Sequence, residues 1–196
     1  MGRHSTARER ILDSSIALIH EQGYANLGVE EILSAAGVGK SSFYHFFKSK
    51  AELGEAVVNA YDQKLQQLMR SSFASTVPPL QRPIRFTQLV QQLVISNDPV
   101  LACFEGKLVG ERDGVPPEMR EKARAILDGV RQLILTALCE ASDNRDLKPN
   151  APLTEIADAC LAYVQGMVTL YRIRNSAEPL KDLGPQIARF WEPWEA

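Results

Sequence analysis

The chain has 196 residues, a hydrophobic content of 45%, a charged content of 23% and a formal net charge of −2. These are the proportions of an ordinary globular protein, and no run of about 18 apolar residues is present to cross a bilayer. The three cysteines, Cys103, Cys139 and Cys160, are too widely spaced for a disulfide framework, and no signal-peptide pattern is present, so the expected location is cytoplasmic.

Strand signals are nearly absent. Apolar residues recur three and four apart, the period of a helix that turns one face to a core. The first helix is predicted from Ser5 or Thr6 to Gln22, with Ile11, Leu12, Ser15, Leu18 and Ile19 on one stripe and Gly23 as its cap. A short second helix fits Val29 to Ala36 and stops at Gly37; a third fits Lys40 to Phe46. A long fourth helix starts near Ser49, whose hydroxyl and Glu52 three residues on make a capping box, and reaches about Ser72. Val77-Pro78-Pro79 breaks the pattern. Further helices are predicted at roughly 80–95, 99–112, 117–141, 153–175 and 180–192, about nine in all. The expected fold is all-α: an N-terminal three-helix domain, a long fourth helix, and a helical bundle behind it.

The segment from Glu30 to Lys50 carries the functional signal. Two short helices are joined by Gly37-Val38-Gly39, and the second has a polar outer face. That is the arrangement of a helix-turn-helix. Ala35 is small enough to let the helices approach, and Val38 and Phe43 are the apolar residues expected to pin the second onto the first. Gly39, Lys40, Ser41 and Ser42 open the second helix, the part that meets base edges in the major groove. Tyr44, His45 and Lys48 are expected to point outward with hydrogen-bond donors for phosphates. Residues 1–50 hold six basic and five acidic residues, so overall charge decides little; the cluster of Lys40, Lys48 and Lys50 is what counts.

Two other readings compete. Ser34-Ala35-Ala36-Gly37-Val38-Gly39-Lys40-Ser41 is one residue from a P-loop, but a P-loop follows a buried strand, and Val29 to Leu33 has helical spacing. The chain could also be a helical scaffold whose DNA-binding domain has become inactive. No zinc spacing, Cys-x-x-Cys or nucleophile elbow appears, so no enzyme, metal or cofactor is expected.

Ile11-Leu12, Gly23-Tyr24, Val29…Ile32, Ala35-Ala36-Gly37-Val38 and Phe43-Tyr44-His45-Phe46-Phe47-Lys48-Ser49-Lys50 leading to Glu52-Leu53 resemble the TetR family of transcriptional regulators. The chain departs from the family pattern at Gly39, where a hydroxyl residue is usual, at Ser41, where Gly is frequent, and at Gly28, where Thr is common. The resemblance implies a helix-turn-helix domain over residues 1–50 and an effector-binding and dimerisation domain over residues 51–196. It also implies a homodimer on a palindromic double-stranded operator, released when a small-molecule effector tilts the fourth helix.

By the same resemblance the last two helices form the dimer surface, and Ala159, Tyr163, Gly166, Met167, Leu170, Phe190 and Trp191 are the candidate residues. A core stripe is the competing reading for those on the eighth helix. The stretch around Cys103, with Lys107 one turn on, resembles a subgroup of these regulators that responds to electrophiles, oxidants or acrylate-like compounds. Cys103 and Lys107 are thus the candidate effector or redox residues, against the reading of Cys103 as a buried, inert thiol. Cys139 and Cys160 are read as packing residues.

Overall fold

The computed structural model describes residues 6–96, 108, 110–111 and 113–196. Eight α-helices are found among them: α1 (Ala7–Gln22), α2 (Val29–Ala36), α3 (Lys40–Phe46), α4 (Lys50–Ser72), α5 (Gln81–Ile95), α6 (Pro117–Asp143), α7 (Leu153–Arg174) and α8 (Leu183–Ala188). Pairing of strand type among the described residues is one isolated bridge, Leu147 to Glu195. The helix expected over 99–112 lies mostly outside the described residues, as do Cys103 and Lys107; Leu108 and Gly110 within that range are helical.

The helices divide between two compact units. One comprises Met1–Lys64 with Pro99–Ile126, the other Leu65–Asp98 with Leu127–Ala196. The division therefore falls inside α4 and inside α6.

In the first unit, α1 starts on a capping box: Thr6 Oγ1 accepts from the Glu9 amide at 3.2 Å, and the Glu9 carboxylate accepts from the Thr6 amide at 2.7 Å. Ile11, Ile16, Ile32, Phe43 and Val57 are fully buried and form the core. Buried Ser15 satisfies its hydroxyl on the Ile11 carbonyl at 2.6 Å. The α4 start makes half of the expected capping box: Ser49 Oγ accepts from the Glu52 amide at 3.1 Å, while the Glu52 carboxylate accepts from the Lys48 amide at 2.7 Å rather than from that of Ser49. Gly54 lets α4 pass close to Tyr24; a Cβ there would lie 2.8 Å from the Tyr24 ring.

In the second unit, α5 packs against α8, where buried Gly184 admits Gln88 and the Ile84 carbonyl. Arg82, 6% exposed, donates to the Val77 carbonyl at 2.8 Å and to Glu140 of α6 at 2.6 Å. The single helix expected over 180–192 is instead three short pieces: a 3-10 turn at Glu178–Leu180, α8, and a 3-10 turn at Glu192–Trp194. Pro179 and Pro193 sit in the two turns, and Asp182 before α8 is left-handed at φ 57°. The left-handed Asp182 breaks a continuous helix, whereas the prolines, with Pro185 in the first turn of α8, stand where a helix end admits them.

Candidate nucleic-acid interface

The site begins with the turn between α2 and α3. Gly37 is left-handed, at φ 61°. Its amide bonds the Ser34 carbonyl at 3.2 Å, and the Val38 amide bonds the Leu33 carbonyl at 3.1 Å. This Schellman-type end satisfies the last carbonyls of α2 and turns the chain sharply. Gly39 then caps α3 with its backbone, its carbonyl accepting from Ser42 and Phe43 at 3.0 and 3.3 Å. Its own side-chain position is open, with Ser41 Oγ 4.0 Å away.

Phe43 anchors α3. It is fully buried, and its ring centroid lies 5.8 Å from that of Phe47, itself 2% exposed. With that edge fixed, Ser41, Tyr44 and His45 turn outward on α3, Lys40 is exposed at its first residue, and Lys48 is exposed beyond its end, after the extended Phe47. All five are exposed, and Tyr44 stands 54% exposed with its ring edge-on to Phe43. Ser42 is half-buried, and Gly39 is exposed just before α3. The residues expected at the DNA face are thus exposed, Ser42 only in part.

Three details differ from expectation. Ala35 is exposed; the small residue at the helix contact is Ala36, 5% exposed. Adjacent residues on a helix point about 100° apart, so only one of the pair can face α1. Val38 is half-buried rather than an anchor equal to Phe43. Lys50 is not part of the basic face: its ammonium lies 3.3 Å from the Ala25 carbonyl and 4.6 Å from the Tyr24 ring centroid. Burial there lowers the Lys50 pKa and raises that of Tyr24.

Two arginines of α1 belong to the site and escape a reading by periodicity. Arg10 Nε donates to the Ala36 carbonyl at 3.2 Å, holding the last turn of α2 beside the Gly37 bend. The Arg8 guanidinium lies over the Phe47 ring, 5.6 Å from its centroid. Their only trace in the sequence is two bases in the first turn of the helix preceding the motif. Lys40 also has a partner, Glu30 of α2, at 3.0 Å, and the hydrogen bond raises the Lys40 pKa.

The P-loop reading fails on this geometry. Ser34 to Ala36 close a helix, no strand precedes them among the described residues, and Lys40 and Ser41 open another helix. A cleft of about 330 Å³ between α1 and α4 is lined largely by polar side chains, Arg8, Asn59, Asp62 and Gln63. Small-molecule effectors are usually enclosed by mostly apolar walls. No group of three His, Cys, Asp or Glu able to hold a metal occurs among the described residues, and no described helix is long and apolar enough to cross a membrane.

The candidate dimer residues fall into two sets. On α7, Ala159, Tyr163, Gly166, Met167 and Leu170 are all half-exposed, whereas Ile156, Ala157, Cys160, Val164 and Val168 are buried. The predicted stripe is therefore a different face from the one in the core. Phe190 is half-exposed and its ring meets Tyr163 at 5.6 Å. Trp191 is a correction: at 1% exposure it fills its own unit's core and has no surface to give a partner. Cys139 likewise is exposed on α6, not packed.

An all-helical chain that presents a glycine-turned helix pair with a polar, basic outer row is a DNA-binding regulator of the helix-turn-helix class. The chain matches the family model described as "Bacterial regulatory proteins, tetR family" over residues 11–57 and that described as "Tetracyclin repressor-like, C-terminal domain" over residues 85–185, and it belongs to the TetR family. It is 27% identical over 177 residues to the transcriptional regulator AcuR of Cereibacter sphaeroides, covering 90% of this chain and 81% of that one. It is 27% identical over 188 residues to the transcriptional repressor NemR of Escherichia coli, covering 93% of each. Among solved structures, a regulatory protein TetR from Rhodobacter sphaeroides superposes with a TM-score of 0.84 at 26% identity, covering 95% of this chain and all of the other. The reduced form of E. coli NemR shares the fold, with a TM-score of 0.73 at 24% identity over 97% of this chain and 98% of the other.

Proposed function

We propose that this regulator is a repressor that binds a pseudo-palindromic operator as a homodimer and leaves it when a small-molecule or electrophilic effector enters its helical domain. Residues 1–50 carry DNA binding, and residues 51–196 carry effector binding and dimerisation. The observation that supports this most is the exposure of Lys40, Ser41, Tyr44, His45 and Lys48 beside the buried Phe43 and Phe47. In this reading Tyr44, His45 and Lys48 hold phosphates, and Gly39, Lys40, Ser41 and Ser42 approach base edges. Relatives named as repressors, NemR and DhaR, favour repression over activation.

The test is the salt dependence of binding. Lys48→Ala should weaken binding to every sequence and flatten the slope of log affinity against log salt by about one unit per protomer, because one phosphate contact is lost. An unchanged slope removes Lys48 from the interface. Failure of the wild type to bind any genomic fragment in a gel shift would favour the inactive scaffold.

Cys103 is the candidate sensor, with Lys107 favouring its thiolate. Cys103→Ser should keep operator binding and lose release by an electrophile such as N-ethylmaleimide. Release that persists in Cys103→Ser points to a reversible ligand elsewhere.

A further inference from the structure

We propose that Glu30 is a specificity-determining residue of the DNA site: by pairing with Lys40 it withholds that lysine from sequence-independent phosphate contact. The proposal rests on the reading of α3 as the DNA-facing helix.

Lys40 is the first residue of α3, and the first turn of α3 has no acidic residue. A cation there meets the positive end of the helix dipole, which disfavours it. What holds the ammonium is Glu30, from the first turn of α2, at 3.0 Å. Both side chains are largely exposed, 64% and 77%, so the pair stands on the surface where DNA would arrive. The same carboxylate does two things. It cancels the charge of one of the two exposed lysines, Lys40 and Lys48, and it places a negative charge beside any approaching phosphate.

An exposed ion pair is held weakly and exchanges partners readily. At a random sequence Lys40 gains only a phosphate, which Glu30 opposes, and the pair stays closed. At the correct sequence a lysine in this turn gains the paired acceptors O6 and N7 of a guanine, and the pair opens. Glu30 thus costs non-specific binding more than operator binding, which widens the ratio between them.

Glu30→Gln removes the charge and keeps the shape. The full-length protein is titrated against two duplexes of equal length, an operator selected from genomic DNA with the wild type and a random sequence, across 50 to 200 mM salt. Each freed lysine should add one phosphate contact on random DNA, worth about eightfold in affinity near 100 mM salt, and steepen the salt slope by about one unit per protomer. Operator affinity should rise less, by no more than about fivefold per protomer and with no change of salt slope, because Lys40 is already engaged there and only the cost of opening an exposed pair is removed. Glu31→Gln, which removes a charge one residue along, should leave both affinities within about twofold. In a Lys40→Ala background Glu30→Gln should lose most of its effect. Equal tightening on both duplexes, no change on either, or a full effect without Lys40 overturns the proposal. If Lys48→Ala flattens the slope while Glu30→Gln does nothing, the DNA face stands and this role for Glu30 falls. If Lys48→Ala has no effect, the DNA face itself falls.

Discussion

Cys160 lies on the buried face of α7, fully enclosed, and burial pushes its thiol from the usual 9.0 up to about 12. A thiolate has no place in an apolar core, so the folded chain keeps the proton that the unfolded chain gives up. Stability from this group is complete below pH 9 and is lost as pH rises from there towards 12, because the unfolded state then binds fewer protons than the native one. The wild type should therefore lose stability faster over that window than Cys160→Ala, by up to about 1.4 kcal/mol per pH unit. Urea melts of both proteins at successive alkaline pH values check this, and parallel curves would refute it. The same environments predict thiol labelling. Cys139 is exposed and should react in the native protein, while Cys160 should react only on unfolding. Any faster labelling of Cys103 must therefore be measured against Cys139, not against a silent background.

At the scale of elements, much of the first unit was legible because its signals are local. Periodic apolar residues set α1, α2 and α3, Gly37 marks a true left-handed turn, and Ser49 with Glu52 marks the start of α4. The exposure of Ser41, Tyr44 and His45 on α3 follows from the same period. What was not legible depends on partners distant in the chain. Arg10 reaches a carbonyl 26 residues on, and Lys50 one 25 residues back. Nothing in composition or spacing announces either. Trp191 shows the converse limit: a large aromatic near a chain end reads as an interface payload, and only its burial shows that it belongs to the core. Arg82 is a further long-range case, tying α5 to Glu140 of α6. Its guanidinium is 7% exposed while the carboxylate is 46% exposed. Removing the acid therefore strands a buried cation, whereas removing the base leaves an acid that water can reach. Glu140→Ala should cost about 2 kcal/mol, below the 3–5 kcal/mol of a fully buried pair because the acid is half-solvated. Arg82→Met should cost less, and the double variant Arg82→Met with Glu140→Leu less than the sum of its parts. A double-mutant cycle by urea denaturation measures this; additive costs would show that the two residues act independently.

For the whole molecule, the question is whether the half-exposed face of α7 meets a second copy. On that face Gly166 has nothing within 4 Å of where a Cβ would stand. No contact among the described residues therefore explains a glycine in the middle of a 22-residue helix, where it lowers helix stability by about 1 kcal/mol relative to alanine. Close approach by a partner helix does explain it, and Ala159, Tyr163, Met167 and Leu170 supply apolar surface on either side. A pair of such faces, with Phe190 at the edge, is the isologous arrangement that a two-fold operator requires. Gly166→Arg separates the possibilities, because it acts in opposite directions on the protomer and on the pair. Within the protomer it replaces a poor helix former with a good one in open space, so helix content should hold. In a dimer it puts a long cation at the centre of the contact and should drive sedimentation at micromolar concentration from dimer to monomer. Affinity for a two-half-site operator should fall at least about a hundredfold, since each half-site is then bound without help from the other. A Gly166→Arg protein that still sediments as a dimer and binds the operator tightly would place the interface on another face of the chain.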